Sequence, residues 1–265
     1  MKTLALFLIF SSFVLAEEVQ VFILTGQSNS LGIIKDGESI SLPTHPNDQK
    51  VRFYWENRDP RAKIVSTSKG KIERLQVQKF NNSPTHANYG LEMSCFRTLS
   101  LNMKNILLIK VSRGGGGNKF WFKDSKDNHM YRALVETSLK ALKQLKNQKY
   151  KIRGLIYLQG ESDGNDCNIA DQRASTLLNN LKVDLPNSTS MQMYIGGIAG
   201  NRQTQAITRM KHAELAKNRQ DIHFIKTEDL LKKGLYKDRL HFNNKSKEII
   251  GNRFAEIILK SNDKK

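Results

Sequence analysis

Short apolar runs alternate along the chain with longer amphipathic stretches. The runs are too short for independent helices, and most are followed by glycine or polar turns, so they predict buried strands. The predicted strands cover residues 19–25, 106–111, 152–159, 191–195 and 222–226. The stretches between them carry apolar residues at helical spacing. They predict helices over residues 90–101, 131–147, 169–182, 204–217 and 245–260, the last capped by Asn243 or Asn244.

The alternation of strands and helices predicts an α/β fold in which a parallel sheet is covered by helices on both faces. In such sheets, ligands bind outside the carboxyl ends of the strands. Candidate functional residues are therefore expected directly after each strand. Residues 51–87 show no readable pattern and are interpreted as loops that would set specificity.

The first sixteen residues have the features of a secretory signal peptide: an early lysine, a short apolar core and small residues near the end. Cleavage is predicted before Glu17, so the mature protein would be secreted or periplasmic, with no later membrane span. A retained anchor is the alternative, although the run is too short to span a bilayer by itself. Residues 17–265 suit a single domain. Within it, Cys95 and Cys167 could pair in an oxidising compartment or remain buried free thiols.

The chain is strongly basic, with 43 Lys and Arg against 25 Asp and Glu and a formal charge of +18. Such a charge attracts anionic polymers. Nucleic acid is not expected as a partner, because the sequence has neither zinc-finger spacing nor an aromatic-rich basic motif. The hypotheses that remain are a solvated surface and an adaptation to an acidic or sulfated polysaccharide.

The first predicted strand is followed by Gly-Gln-Ser-Asn at residues 26–29. A glycine there permits a sharp turn, after which Ser28 would lie at the edge of the sheet. If a helical turn begins at this point, its free N–H groups can stabilise an oxyanion. Taken alone, Ser28 could equally be a helix cap.

Asp238 and His241 lie three residues apart, just before the last predicted helix. A serine hydroxyl needs a base to act as a nucleophile, and the base needs a carboxylate to orient it. This pair could supply both from one turn. The alternative is a surface histidine beside a surface acid.

Two further loops follow predicted strands. Gly114–Gly117 precede Trp121, and they could bring backbone N–H groups close to a ligand or form a flexible surface loop. Gln159 and Glu161 lie at the end of the third strand and offer an amide and a carboxylate. No phosphate-binding loop is present, and Asp166 occupies the position at which a calcium loop needs glycine. We therefore expect neither a metal nor a cofactor.

These segments, in this order, resemble the SGNH hydrolase superfamily, and most closely its sialate O-acetylesterase and acetylxylan esterase branch, carbohydrate esterase family six. That branch typically shows Gly-Gln-Ser-Asn, a Gly-Gly pair ahead of a tryptophan, Gln-Gly-Glu-x-Asp and a late Asp-x-x-His. The matching residues are 26–29, 114–115, 159–163 and 238–241. Tyr89-Gly90-Leu91-Glu92 is similar to the family's Gly-Pro-Glu helix start, with leucine in place of proline.

The resemblance implies a flavodoxin-like three-layer α/β/α sandwich and hydrolysis of O-acetyl esters on carbohydrate without a cofactor. It implies a role for each matching residue. Ser28 would be the nucleophile, His241 the base and Asp238 the group that orients it; the oxyanion hole would comprise Ser28, Gly115 and Gln159; and Gln27, Asn29, Gly114 and Glu161 would support the site.

Two other functions remain open from the sequence. One is an esterase for lipid, aryl or other non-carbohydrate esters that uses the same three residues. The other is a basic, exported polysaccharide-binding protein that has lost catalysis. The sequence does not name the acetylated sugar.

Overall fold

The computed structural model describes residues 17–32, 42–59, 64–80, 83–235, 238 and 240–262. The expected signal peptide, residues 1–16, lies outside the described residues, so its cleavage and the export of the protein stay predictions. No helix among the described residues is long and apolar enough to cross a membrane.

Ten strands occur within the described residues and form one large and one small sheet. In chain order they are β1 (Val19–Gly26), β2 (Val51–Asp59), β3 (Ile64–Thr67), β4 (Glu73–Arg74), β5 (Gln78–Phe80), β6 (Ser83–Asn88), β7 (Ile106–Ser112), β8 (Tyr150–Leu158), β9 (Gln192–Gly196) and β10 (Ile222–Ile225). The large sheet has the order β10-β9-β8-β1-β7-β2-β3, with β4 paired to β2 outside this path. Strands β5 and β6 form the small antiparallel sheet.

The five strands predicted from the sequence are parallel neighbours and form one continuous run of the large sheet, from β10 at its edge to β7. Taken in chain order as first to fifth, they lie in the order second-first-third-fourth-fifth, as in flavodoxin-type sheets. Because β1 has β7 on one side and β8 on the other, the strand order reverses at β1. Gly26, the last residue of β1, pairs with Ser112 of β7 and Leu158 of β8. Three strand ends thus meet where a ligand is expected to bind.

The interpretation of residues 51–87 as loops is wrong, because β2 to β5 and all but the last residue of β6 lie in this segment. Strand β2 lies parallel to β7 and extends the central sheet. Its residues Val51, Phe53 and Trp55 are buried on one face of the sheet and Tyr54 on the other. Charged residues interrupt this alternation. The strand also depends on pairing with β7, which no local pattern reveals.

The sheet is covered by helices on both faces, as predicted. The described helices are α1 (Ser28–Leu31), α2 (Glu92–Asn102), α3 (His129–Lys143), α4 (Ala170–Asp184), α5 (Gln203–Asn218), α6 (Glu228–Lys232) and α7 (Asn244–Asn262). Val21 and Ile23 of β1 belong to the apolar core that contains residues of α3 and α4. Phe22 and Leu24 belong to the core on the opposite face, with residues of α2 and α7. The three-layer architecture is therefore confirmed.

The two cysteines are both buried and free. Cys95 lies in α2 within one apolar core, whereas Cys167 follows β8 in a turn of 3₁₀ helix over Gly164–Ile169. Of the two alternatives that the sequence leaves open, the structure has the unpaired thiols.

Candidate active site

Ser28 is placed at the sheet edge by the sharp turn that ends β1. Gly26 has a φ of +147°, and a Cβ on it would lie 2.0 Å from the carbonyl oxygen of Leu158, so only glycine fits. The N–H of Gln27 then donates to that carbonyl oxygen at 3.2 Å. Ser28 follows as the first residue of α1 and is 7% exposed. The turn therefore holds the hydroxyl beyond the carboxyl end of the central strand.

Ser28, His241 and Asp238 lie in one hydrogen-bonded chain. Nε2 of His241 is 3.1 Å from the Oγ of Ser28. Nδ1 of His241 is 2.9 Å from Oδ2 of Asp238 and 3.2 Å from its Oδ1. With the proton on Nδ1 donated to the carboxylate, Nε2 is free to accept the hydroxyl proton. The structure thus brings Ser28 together with a pair of residues that lies more than two hundred positions away in the sequence.

The Asp238 carboxylate is held in place by its own turn. Its Oδ1 accepts hydrogen bonds of 2.7 Å from the backbone N–H groups of Leu240 and His241. Partial burial raises the pKa of Asp238, but the hydrogen bonds from the His241 ring and these two amides outweigh it and hold the pKa below its ordinary value. The carboxylate is therefore ionised when it faces the imidazole.

Asn29 joins the helix that carries Ser28 to the loop that carries His241. Its amide nitrogen donates to the carbonyl oxygen of Leu240 at 3.1 Å and to Oε1 of Glu161 at 2.6 Å. Its Oδ1 accepts the backbone N–H of Phe242 at 3.0 Å. Asn29 is 3% exposed, so little water competes for these bonds. The serine and the histidine are thus tied together through the residue next to the serine.

Glu161 is the buried centre of the polar network around Ser28. Its Oε2 accepts from the amide of Gln27 at 2.5 Å, and its Oε1 accepts from Asn29 and, at 3.3 Å, from the N–H of Ala199. Burial raises the pKa of Glu161 to about 7, although the hydrogen bonds from Asn29 and Ala199 oppose the rise. The carboxyl group therefore braces both residues that flank the serine.

The glycine-rich loop after β7 begins beside the turn that carries Ser28. The N–H of Arg113 donates to the carbonyl oxygen of Gly26 at 3.0 Å. Gly114 is buried, whereas Gly115 is exposed and has a φ of +67°, in the left-handed region that favours glycine. Trp121 anchors the far end of the loop, since its Nε1 donates to Oγ1 of Thr25 in β1 at 2.8 Å. The loop is thus fixed at both ends against the strand that leads to Ser28.

Gln159 is placed differently from its predicted role. The side chain is fully buried, and its amide nitrogen donates to the carbonyl oxygen of Gly116 at 3.2 Å and to Oδ1 of Asp163 at 2.7 Å. Its Oε1 accepts from the hydroxyl of Tyr157 at 2.9 Å. Both amide hydrogens are engaged inside the protein, so in this conformation neither points to an oxyanion. Gln159 instead joins the loop after β8 to the glycine-rich loop.

The loop after β9 supplies a part of the site that was not predicted from the sequence. Ala199 of this loop contacts Glu161, and Gln205 at the start of α5 donates to the Glu161 carbonyl oxygen at 3.2 Å. The glycines at the end of β9 were an available signal, because they follow a strand like the other site residues. Within the described residues, no group of three or more His, Cys, Asp or Glu side chains could hold a metal ion.

A hydroxyl, an imidazole and a carboxylate in one hydrogen-bonded chain at the edge of a parallel sheet have the geometry that serine-dependent hydrolysis requires. The family of the protein follows from comparison with known proteins. Residues 18–260 match the profile of the family described as carbohydrate esterase, sialic acid-specific acetylesterase. The chain belongs to this family, and it is a carboxylic ester hydrolase of the carbohydrate O-acetylesterase type.

Solved structures agree with this fold at low sequence identity. A protein from Arabidopsis thaliana is 19% identical with a TM-score of 0.67, covering 92% of this chain and 99% of its own. NanS is 16% identical with a TM-score of 0.62, and the match covers 94% of this chain and 99% of the NanS chain. A carbohydrate acetylesterase from Xanthomonas citri is 12% identical with a TM-score of 0.56, and the match covers 89% of this chain and 55% of that protein. No curated protein sequence matches the chain.

Proposed function

We propose that the protein hydrolyses O-acetyl esters on carbohydrate, with Ser28 as nucleophile, His241 as general base and Asp238 as the residue that orients the imidazole. The observation that carries this proposal is the hydrogen-bonded chain from Ser28 through His241 to Asp238. Membership of the carbohydrate esterase family supports the acetyl ester as substrate. The similarity in fold to the carbohydrate acetylesterase from Xanthomonas citri is consistent with this substrate.

The reaction proceeds in two halves. His241 accepts the proton of Ser28 as the hydroxyl oxygen attacks the acetyl carbonyl carbon, and the imidazolium then protonates the departing sugar oxygen. This leaves an acetyl group on Ser28. Water attacks that acetyl group with His241 again as the base, and acetate leaves as the proton returns to Ser28. Asp238 keeps the imidazole in the productive tautomer and stabilises its positive charge.

The oxyanion of each tetrahedral intermediate is stabilised by backbone N–H groups. The N–H of Ser28 lies in the first turn of α1, where a helix has no acceptor of its own to offer. Gly115 is the exposed glycine of the neighbouring loop and supplies the second N–H. Each donor contributes about 3 kcal/mol to lowering the barrier. Gln159 holds the glycine loop in position, and Gly114 begins its turn.

The protein is also proposed to act on an anionic polysaccharide outside the cell. The net charge of +18 supports an acidic or sulfated polymer. A groove of about 370 Å³ between α2 and α7 is lined by Tyr89, Arg97, Lys245 and Lys247, among other residues. Within this groove, however, Arg97 is paired with Asp48, Lys245 with Glu248, and Lys247 lies over the ring of Tyr89, so the support for an anionic polymer comes from the net charge of the chain. Retention on such a polymer should weaken as salt is added, and retention that is independent of salt would count against this part.

The test is acetate release by the wild type and S28A from a panel of O-acetylated carbohydrates, including sialic acid and xylan. The proposal predicts release by the wild type and its loss in S28A. Activity that survives in S28A would contradict the mechanism. A parallel series of esters with increasing acyl length separates the lipid alternative, because a carbohydrate acetylesterase should lose activity as the acyl chain grows. Aryl acetates compared with sugar acetates separate the other non-carbohydrate esters.

A further inference from the structure

Lys110 is a buried cation beneath the helix that carries Ser28. It lies in β7, two residues before the strand ends, and its side chain is fully buried. Its Nζ donates to Oε1 of Glu92 at 2.8 Å, to Oε1 of Gln78 at 2.8 Å and to the carbonyl oxygen of Leu31 at 3.2 Å. The ammonium group therefore has an acceptor for each of its three hydrogens.

Leu31 is the residue that gives this cluster its connection to the site. It is the last residue of α1, the four-residue helix whose first residue is Ser28. A cation at a helix C-terminus satisfies a carbonyl group that the helix itself leaves unpaired. In the same helix, the Oγ of Ser30 lies 2.8 Å from the Oγ of Ser112, so the end of β7 contacts α1 at two points. Glu161 holds the other end of α1 through Gln27 and Asn29.

Stability alone does not readily explain a fully buried ion pair. Removing two charges from water costs several kcal/mol per ion, and apolar or neutral replacements are often equally stable. Glu92 is also fully buried, and its Oε1 accepts the N–H of Gly90 at 2.7 Å. The pair of Lys110 and Glu92 thus connects the start of α2 with the end of α1. Neither charge takes part in the proposed reaction.

We propose that Lys110, charge-balanced by Glu92, is a positioning residue that fixes α1 through the Leu31 carbonyl and so sets the position of the Ser28 hydroxyl relative to His241. This inference rests on the proposed function of Ser28. Without the contact, α1 has one constraint fewer, and small displacements of reacting groups lower enzymatic rates strongly.

The test compares variants that remove the charges as a pair with one that keeps the contact. In K110M/E92Q no unpaired charge is left buried, and the bond to Leu31 is lost. The proposal predicts a fall in kcat of about tenfold with KM within about twofold. E92Q keeps the lysine beside Leu31 but leaves it without a counter-charge, so its Tm should fall. A lysine that stays charged or becomes a neutral amine can still donate to Leu31, so kcat should fall less than about threefold. L178A, which opens a cavity in the apolar core on the opposite face, should lower Tm without lowering kcat.

The rate at which a small fluorophosphonate labels Ser28, followed by mass spectrometry, is measured alongside. This readout depends on the position of the nucleophile and not on the identity of the natural substrate. A wild type that is labelled but releases no acetate from carbohydrate would overturn the proposed function and leave the role of Lys110 testable. Unchanged labelling and kcat in folded K110M/E92Q would overturn the role of Lys110. If that variant does not fold, a tenfold loss in E92Q alone would overturn it, since the bond to Leu31 is intact there.

Discussion

Replacing Asn29 by alanine tests whether the serine and histidine segments are held together by one side chain. The substitution removes two hydrogen bonds that cross from α1 to the histidine loop, to Leu240 and from Phe242, and one to Glu161. All three partners stay in place without their former contact. The His241 loop then has less to hold it at hydrogen-bonding distance from Ser28.

The expected magnitudes follow from these contacts. Each hydrogen bond contributes about 1 kcal/mol net, and a buried partner left unsatisfied costs about 1–3 kcal/mol. Because three bonds are lost and Asn29 is only 3% exposed, the free energy of unfolding of N29A should be about 3–4 kcal/mol lower than that of the wild type. A displacement of His241 by about 1 Å would lower kcat about 100-fold.

The assay combines kcat and KM on an acetyl ester with urea unfolding of the same preparations. Asn47→Ala is the matched control, because Asn47 is also buried and its amide donates to the backbone carbonyl oxygen of Arg97, away from Ser28 and His241. N47A should lose stability and keep kcat. If N29A loses stability but keeps the kcat of the wild type, the link between the two segments does not contribute to catalysis, and the reasoning is refuted.

Three further predictions concern the carboxylates and the cysteines. D238N should lower kcat by about 10³–10⁴-fold with little change in KM, because the amide favours the wrong tautomer of His241; a loss below tenfold in steady-state assays would contradict this. Since the Glu161 pKa is about 7 in the fold and 4.5 ordinarily, the stability it contributes is complete below about pH 4.5 and is lost as the pH rises through about 7. As the pH rises from 4.5 to 8, the free energy of unfolding of E161Q, measured with urea, should therefore rise by up to about 3 kcal/mol relative to that of the wild type. A difference between the two proteins that does not change with pH would exclude the raised pKa. Because Cys95 and Cys167 are free, dithiothreitol should leave Tm unchanged in differential scanning calorimetry, and a drop of several degrees would reveal a disulfide.

The central part of the fold is accessible from the sequence because it depends on local patterns. Five buried strands are short apolar runs, and the five long helices have helical spacing, so the layer architecture follows without knowledge of contacts. Strand β2 does not follow, because its charged positions interrupt the apolar pattern and its pairing with β7 is non-local.

In the candidate site, too, some residues could be predicted from local sequence patterns and others could not. Ser28, Asp238 and His241 lie directly after a strand or before a helix, where the rule for parallel sheets directs the search. The contacts of Gln159 and Lys110 depend on which neighbours their side chains meet in three dimensions. Gln159 is engaged by Gly116 and Asp163, and Lys110 lies within a run that reads simply as a buried strand. Neither arrangement has a signal in the spacing of residues.

The most direct test of the central claim is to trap the covalent intermediate. Wild-type protein is mixed with an activated acetyl ester, quenched in acid and digested, and the peptide that contains Ser28 is examined by mass spectrometry. We predict an acetyl group on Ser28 in the wild type, its accumulation when deacylation is slowed, and its absence in S28A together with a loss of acetate release of at least about a thousandfold. An acetyl group on another residue, or full acetate release by S28A, would contradict the assignment of Ser28 as the nucleophile.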